Sequence, residues 1–363
     1  LNKIISKIIH LVIRINTAAP KKSTSSVLII YTGGTLGMAY DEVGKHLRPF
    51  DFSQILEKVP ELSQLACELT VYSLPEIIDS SNMHPCHWIE MANIIRENYD
   101  DYDGFVVLHG TDTMVHSASA LSYLLENLAK PVIFTGAQLP IGAIRTDARR
   151  NLITSIQVAE AKIAGKPIVP EVCIFFNDLL LRGNRSKKEE SANFDAFQSE
   201  NYPSLAKVGI HISYFDSIIM SSPTQALKVH QALDENVTIL KLFPGISSAV
   251  VKSVLSIKGL KGIVLETYGS GNAPTEAWFL ELIQEAIDHG LTILNVSQCL
   301  GGQVLQGRYE TSTALAKMGV IGGSDLTSEA AITKLMFLLA QNLSKEELAQ
   351  QLSHSLRGEL TEI

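Results

Sequence analysis

Val27-Leu28-Ile29-Ile30-Tyr31-Thr32-Gly33-Gly34-Thr35-Leu36-Gly37 is the stretch that decides the fold class of this chain. The run Val27–Tyr31 is apolar without alternation, which reads as a strand buried on both faces, as in a parallel sheet. The glycines that follow let the backbone turn sharply and bare its N–H groups. Outward from this point the pattern recurs at Glu68–Leu74, Gly104–His109, Pro131–Thr135 and Val172–Phe176, then at Val237–Phe243, Gly262–Thr267 and Leu291–Val296. Helix-length stretches fall at Met114–Leu128, Asp147–Ala164, Ser328–Asn342 and Lys345–Leu352. Such alternation implies an α/β fold with mostly parallel sheet. The stretch Ser217–Asn236 lacks a strong strand pattern, and the alternation restarts beyond it. The expected organisation is an extension and linker at 1–26, a larger first α/β domain at 27–216, a linker at 217–236 and a smaller Rossmann-like domain at 237–363.

A length of 363 residues suits two domains of ~150 residues each. With 46% hydrophobic and 19% charged residues, neither a disordered chain nor a disulfide-stapled scaffold is expected. The net charge of −8 argues against broad nucleic-acid binding, which needs a basic footprint. Lys3, Lys7, Arg14, Lys21 and Lys22 have no acid among residues 1–26, so this segment is +5 and the remainder −13. On a helical wheel Ile4, Ile8, Leu11, Val12 and Ile15 oppose Lys3, Lys7, His10 and Arg14, the pattern of a basic amphipathic helix. The readings open for it are a membrane-surface segment, a targeting segment, a helix that docks on a partner, or an extension with no catalytic role. Nowhere does an apolar run approach the ~18 residues of a membrane span. Cys67, Cys86, Cys173 and Cys299 form no CxxC pair, which suits a reducing, cytoplasmic setting with thiols acting as small core residues. The His84-Pro85-Cys86-His87 cluster gives little support for zinc, because Pro85 interrupts a helical presentation, and it reads as a loop.

In open parallel sheets ligands bind beyond the carboxyl ends of the strands. Those ends carry Thr32–Gly37, Asp79-Ser80-Ser81, Gly110-Thr111-Asp112-Thr113 and Gly136-Ala137-Gln138. The first of these has GGxxG spacing followed by a loop at Met38–Phe50, so it lacks both the dinucleotide fingerprint and a Walker sequence. Thr111-Asp112-Thr113 also offers ordinary N-capping side chains for the helix behind it. A threonine hydroxyl is a weak nucleophile and needs a base or a lysine beside it. The cationic loop Asn177–Lys188, following the fifth strand, can supply one, although such a loop is usually a solvated surface. There is no Gly-x-Ser-x-Gly elbow for a serine hydrolase.

Tyr31-Thr32-Gly33-Gly34-Thr35-Leu36-Gly37-Met38 and Leu108-His109-Gly110-Thr111-Asp112-Thr113-Met114 together resemble the two motifs of the asparaginase/glutaminase family. The similarity continues through Lys130–Pro140, Tyr268–Pro274 and Val320–Asp325. Asp101–Phe105, Phe194–Phe197 and Leu356–Thr361 resemble its bacterial type I, cytosolic branch. The resemblance covers residues 27–363. It implies hydrolysis of the L-asparagine side-chain amide through an acyl-enzyme, without metal or cofactor, by a cytoplasmic homodimer or tetramer. Thr35 resembles the nucleophile; Thr111, Asp112 and Lys188 resemble the group that orients and polarises a second hydroxyl. Lys188 is preferred to Lys187 because it lies nine residues before Phe197, the spacing of the family's lysine. Asp79 and Ser80 match positions that hold the α-amino and α-carboxylate groups, with Gly34, Gly110 and Ala137 around the substrate. A tyrosine that the family carries about ten residues after its nucleophile is replaced by Lys45, which leaves Tyr40 as the nearest candidate for proton relay. An effector site of the kind some type I members use would involve Cys299, Gln138, Lys187 and Glu266; the last two depart from the expected threonine and arginine, and a buried structural thiol is the alternative for Cys299. The competing functions are an amidohydrolase favouring glutamine and a non-catalytic asparagine sensor.

Overall fold

The computed structural model describes residues 11–15, 25–41, 46–49, 55–305 and 310–362. Two compact units divide the chain: residues 1–198 with 203–229, and residues 199–202 with 230–363. The first is built on a nine-stranded sheet. In chain order its strands are β1 (Leu11–Ile15), β2 (Ser26–Gly33), β3 (Glu68–Ile78), β4 (Gly104–Leu108), β5 (Val132–Thr135), β6 (Val172–Phe176), β7 (Leu179–Arg182), β8 (Ala206–Val208) and β9 (Ile212–Tyr214). Their spatial order is β1-β3-β2-β4-β5-β6-β7-β8-β9. The five strands from β3 to β6 run parallel. Every residue of β4, β5 and β6 is buried, which is why these segments are continuous apolar runs.

Beyond β6 the sheet turns antiparallel. Asn177, at a φ of 56°, reverses the chain so that Cys173 faces Arg182 across a hairpin. Sequence reading takes this stretch as a loop, because four residues leave little pattern to see. Arg182 is then buried against Glu171, with Nε to Oε2 at 2.5 Å, and the same pair binds the backbone of Ile218 and Met220.

The amphipathic helix expected over Ile4–Ile15 is not formed where the chain is described. Leu11–Ile15 is an edge strand antiparallel to β3, with Leu11 opposite Ser73 and Ile15 opposite Leu69. Leu-Val-Ile-Arg-Ile has strong β propensity, and the open edge of β3 supplies hydrogen-bond partners that a helical wheel cannot anticipate. Residues 1–10 and 16–24 lie outside the described residues. The expected loop at Met38–Phe50 also contains structure, since Met38–Asp41 pairs antiparallel with His46–Pro49.

Of the helices α1 (Pro85–Glu97), α2 (Met114–Leu124) and α3 (Ala148–Glu160), α2 and α3 pack on this sheet and α1 packs against α2. The His84–His87 cluster is a helix start rather than a loop. Pro85 occupies the first position, where its missing N–H costs nothing, and the His84 N–H donates to His87 Nδ1 at 3.1 Å. The cysteines divide evenly: Cys67 and Cys173 are buried, whereas Cys86 and Cys299 are exposed, so the core-residue expectation holds for two of the four and the buried-thiol alternative for Cys299 does not.

The second unit holds a four-stranded, all-parallel sheet of β10 (Val237–Lys241), β11 (Gly262–Thr267), β12 (Thr292–Ser297) and β13 (Ile321–Gly322), in that spatial order. Ile263, Leu265 and Ile293 pack with Val251 of α4 (Ser248–Leu255) and with Phe279 and Ile283 of α5 (Ala277–Asp288). On α6 (Ser328–Leu339), Lys334 is fully buried and pairs with Glu359 at 2.7 Å. Glu359 also accepts the N–H groups of Leu356 and Arg357, while Lys334 donates to the carbonyls of Leu352 and His354. The C-terminal segment is thereby tied to α6. Among the described residues no helix is long and apolar enough to cross a membrane.

Candidate active site

Close backbone packing gathers four strand ends of the first unit, and glycines make it possible. A Cβ on Gly34 (φ 89°) would lie 2.6 Å from the Gly110 nitrogen, and one on Gly33 would strike the Ile78 carbonyl at 2.2 Å. A Cβ on Gly110 would fall 2.5 Å from Ser80 Oγ; one on Gly136 would fall 2.5 Å from the His109 carbonyl. The loops after β2, β3, β4 and β5 therefore approach more closely than a side chain on any of these glycines would allow. Thr35 opens a short 3₁₀ turn, Thr35–Gly37, and is half-buried. The turn is held from both ends. Thr32 Oγ1 donates to the Leu108 carbonyl at 2.8 Å, and the Tyr31 hydroxyl donates to the Gly37 carbonyl at 3.1 Å.

Lys188 reaches this region from a short ladder in which Lys188 faces Phe197 and Lys187 faces Gln198. Its ammonium donates to Thr111 Oγ1 at 2.8 Å and to Asp112 Oδ1 at 2.6 Å. Adjacent strand residues point to opposite faces, and it is Lys188 that makes both contacts. Thr111, Asp112 and Lys188 are thus brought together. The alternative use of this segment as a helix cap is not realised. Thr113 is the residue before α2, makes no side-chain capping bond, and instead donates to the Ser80 carbonyl at 2.7 Å.

Asp79 is exposed and accepts from the N–H and the hydroxyl of Ser81 at 3.0 and 2.8 Å. These bonds, the backbone one foremost, hold its carboxyl below the usual carboxylate range, so it stays ionised to face a cationic group. Ser80 is buried beside Gly110, and Ala137 is buried. Gln138 is fixed by its N–H to Asp147 Oδ2 at 2.9 Å and by its side-chain amide to the Asn193 carbonyl at 2.9 Å. Asn151 donates to the Gly136 carbonyl at 3.0 Å. Asp147 and Asn151 therefore shape this loop, although neither carries a motif that sequence reading would single out.

Tyr40 stands opposite Leu47 in the Met38–Asp41 hairpin; its side chain lies outside what is described, as does Lys45. Of the effector candidates, Gln138 and Lys187 belong to the first unit, and Cys299 and Glu266 to the second. Glu266 is bonded to Ser328 at 2.5 Å and to Lys241 at 3.5 Å.

Sequence reasoning overlooked His109, although a titratable residue directly before Gly-Thr-Asp was a visible signal. It is buried beside Gly110, and burial lowers its pKa to about 4. The folded value lies below the ordinary 6.5, so the unfolded chain binds the proton first as pH falls. Folding stability should decline from about pH 6.5 to about pH 4, by on the order of 3 kcal/mol from this group alone. Urea titrations at pH 7 and pH 4.5 on the native chain and His109→Asn check this; an equal pH slope in both excludes His109 as a contributor.

The site so described is a threonine–lysine–aspartate constellation at the carboxyl ends of parallel strands, in a chain of two α/β units. Residues 26–220 match the family model Asparaginase, N-terminal, and residues 236–352 match Glutaminase/Asparaginase C-terminal domain; the chain belongs to the asparaginase family. It is 43% identical to L-asparaginase 1 of Escherichia coli K12 over 337 residues, covering 93% of this chain and 98% of that protein. The crystal structure of L-asparaginase I from Vibrio cholerae superposes with a TM-score of 0.84 at 39% identity, covering 93% of this chain and 99% of the other. The thermostable L-asparaginase from Thermococcus kodakarensis gives 0.85 at 31% identity, covering 93% and 100%.

Proposed function

We propose that this chain hydrolyses the side-chain amide of L-asparagine to L-aspartate and ammonia. The observation that carries the proposal is the Lys188 ammonium bonded to both Thr111 Oγ1 and Asp112 Oδ1, beside the glycine-packed turn that bears Thr35. Membership of the asparaginase family supports it.

Thr35 Oγ attacks the amide carbon while its proton passes to a neighbouring base, and the carbonyl oxygen becomes an oxyanion. Backbone N–H groups of the glycine-rich loops stabilise that charge. Collapse breaks the C–N bond, the nitrogen takes up a proton and leaves as ammonia, and Thr35 carries an ester. Water then attacks the ester, releasing aspartate and restoring the Thr35 hydroxyl. The cation of Lys188 favours the polarised form of Thr111, with Asp112 holding the ammonium in place. Asp79, ionised, receives the substrate ammonium, which selects a free amino acid over an internal residue of a peptide. No metal or cofactor takes part in this scheme, and the working form is a homodimer or a tetramer.

Steady-state ammonia release with L-asparagine and L-glutamine side by side tests the reading. Turnover of asparagine well above that of glutamine is expected. Preference for glutamine would reassign the substrate, and saturable asparagine binding without ammonia would make the chain a sensor.

A further inference from the structure

A buried hydrogen-bond relay runs behind Thr111, and the scheme above makes no use of it. Trp88 Nε1 on α1 donates to Ser117 Oγ on α2 at 2.8 Å. Ser117 Oγ lies 2.8 Å from His109 Nε2, and His109 Nδ1 lies 2.7 Å from the Gly110 carbonyl oxygen. A carbonyl oxygen only accepts, so Nδ1 bears the hydrogen. In the neutral ring Nε2 is then an acceptor and takes the Ser117 hydroxyl hydrogen, which leaves the Ser117 oxygen lone pairs to Trp88. Direction and tautomer are thus set by the indole at one end and the carbonyl at the other. His109 and Ser117 are 1% and 0% exposed, so water does not compete for these bonds.

The carbonyl of Gly110 and the N–H of Thr111 belong to one peptide plane. An imidazole that holds the carbonyl therefore sets the direction of the Thr111 N–H and the base of the Thr111 side chain. A bond at the carbonyl also polarises the peptide and strengthens its N–H as a donor. From the other side Lys188 holds the Thr111 hydroxyl at 2.8 Å. Thr111 is gripped by backbone and by side chain from two separate elements.

We infer that His109, keyed by Ser117 and Trp88, is a positioning residue that orients the Gly110–Thr111 peptide for catalysis. The inference rests on the amide hydrolysis proposed above. It makes a stereochemical demand that simple space-filling does not. The side-chain nitrogen of asparagine falls where Nδ1 lies and can donate to Gly110, whereas that of glutamine falls nearer Nε2 and cannot.

The test measures kcat and KM for asparagine, with melting temperature, for the native chain, His109→Asn, His109→Gln and Ser117→Ala. His109→Gln should lose about 10–100-fold in kcat with KM little changed. His109→Asn should retain roughly tenfold more kcat than His109→Gln, although it leaves the larger void. Ser117→Ala, which removes the bond that steadies the imidazole at Nε2, should lose about fivefold, as expected for one neutral hydrogen bond. Equal kcat in the asparagine and glutamine variants, or kcat that follows melting temperature across the set, overturns the inference while the native activity stands. Should either histidine variant fail to fold, an unchanged kcat in Ser117→Ala overturns it alone. Absence of ammonia from the native chain removes the functional reading and this inference together.

Discussion

Thr35→Ala should lower kcat on asparagine by about 10⁴-fold or more while leaving the fold and substrate binding in place. The expectation follows from how the turn is held. Gly33 and Gly34 pack against Ile78 and Gly110, and Thr32 and Tyr31 bond to Leu108 and Gly37, so the backbone geometry does not depend on the Thr35 hydroxyl. Only the reacting oxygen is removed. The comparison that matters is Thr111→Val, which takes away the hydroxyl bonded to Lys188. If Thr35 forms the ester, a slow-substrate trap followed by mass spectrometry will show an adduct on Thr111→Val and none on Thr35→Ala. Undiminished ammonia release from Thr35→Ala would sink the assignment.

Lys334→Met should destabilise the second unit by about 3–5 kcal/mol, because it leaves the Glu359 carboxylate buried without its cation. Burial by itself pushes the Glu359 carboxyl up. The Lys334 ammonium and the Leu356 and Arg357 N–H groups more than offset that and hold it below the usual carboxylate range. The sign follows: the stabilisation is present at neutral pH and is lost as pH falls through the depressed folded-state value. Lys334→Met combined with Glu359→Gln should recover most of the loss, since a neutral amide oxygen still accepts the two N–H groups without needing a counter-charge. Denaturant unfolding of the native chain and the two variants at neutral pH measures this. Equal loss in the single and double variants would show that packing around α6, and not the stranded charge, sets the cost.

The β2 strand, the two threonine motifs and the two-sheet α/β class were legible in the residues, because a strand buried on both faces must be apolar throughout and its turn must be glycine-rich. Gly262–Thr267 and Val172–Phe176 were bounded to the residue for the same reason. Elements whose pairing depends on a neighbour were not. Leu179–Arg182, Ala206–Val208 and Ile212–Tyr214 are too short to carry a period, and each exists as a strand because the strand before it offers an edge. Leu11–Ile15 has a helical wheel and a β composition at once, and the open edge of β3 decided between them.

The same division separates the parts of the site. Residue types and their order determined by themselves that hydroxyls, carboxylates and glycines would stand at strand ends, since an uninterrupted apolar run marks a strand buried on both faces and the residues that follow it mark its carboxyl end. Which groups touch was decided by the tertiary structure alone. Lys188 and Thr111 are 77 positions apart, and they meet at 2.8 Å because the fold brings the segment after β7 beside the loop after β4. The burial of His109 between α1, α2 and Gly110 is likewise a property of packed elements. A chain codes the chemistry of each side chain locally, but a hydrogen bond also needs distance and direction, and these exist only once the sheet is assembled.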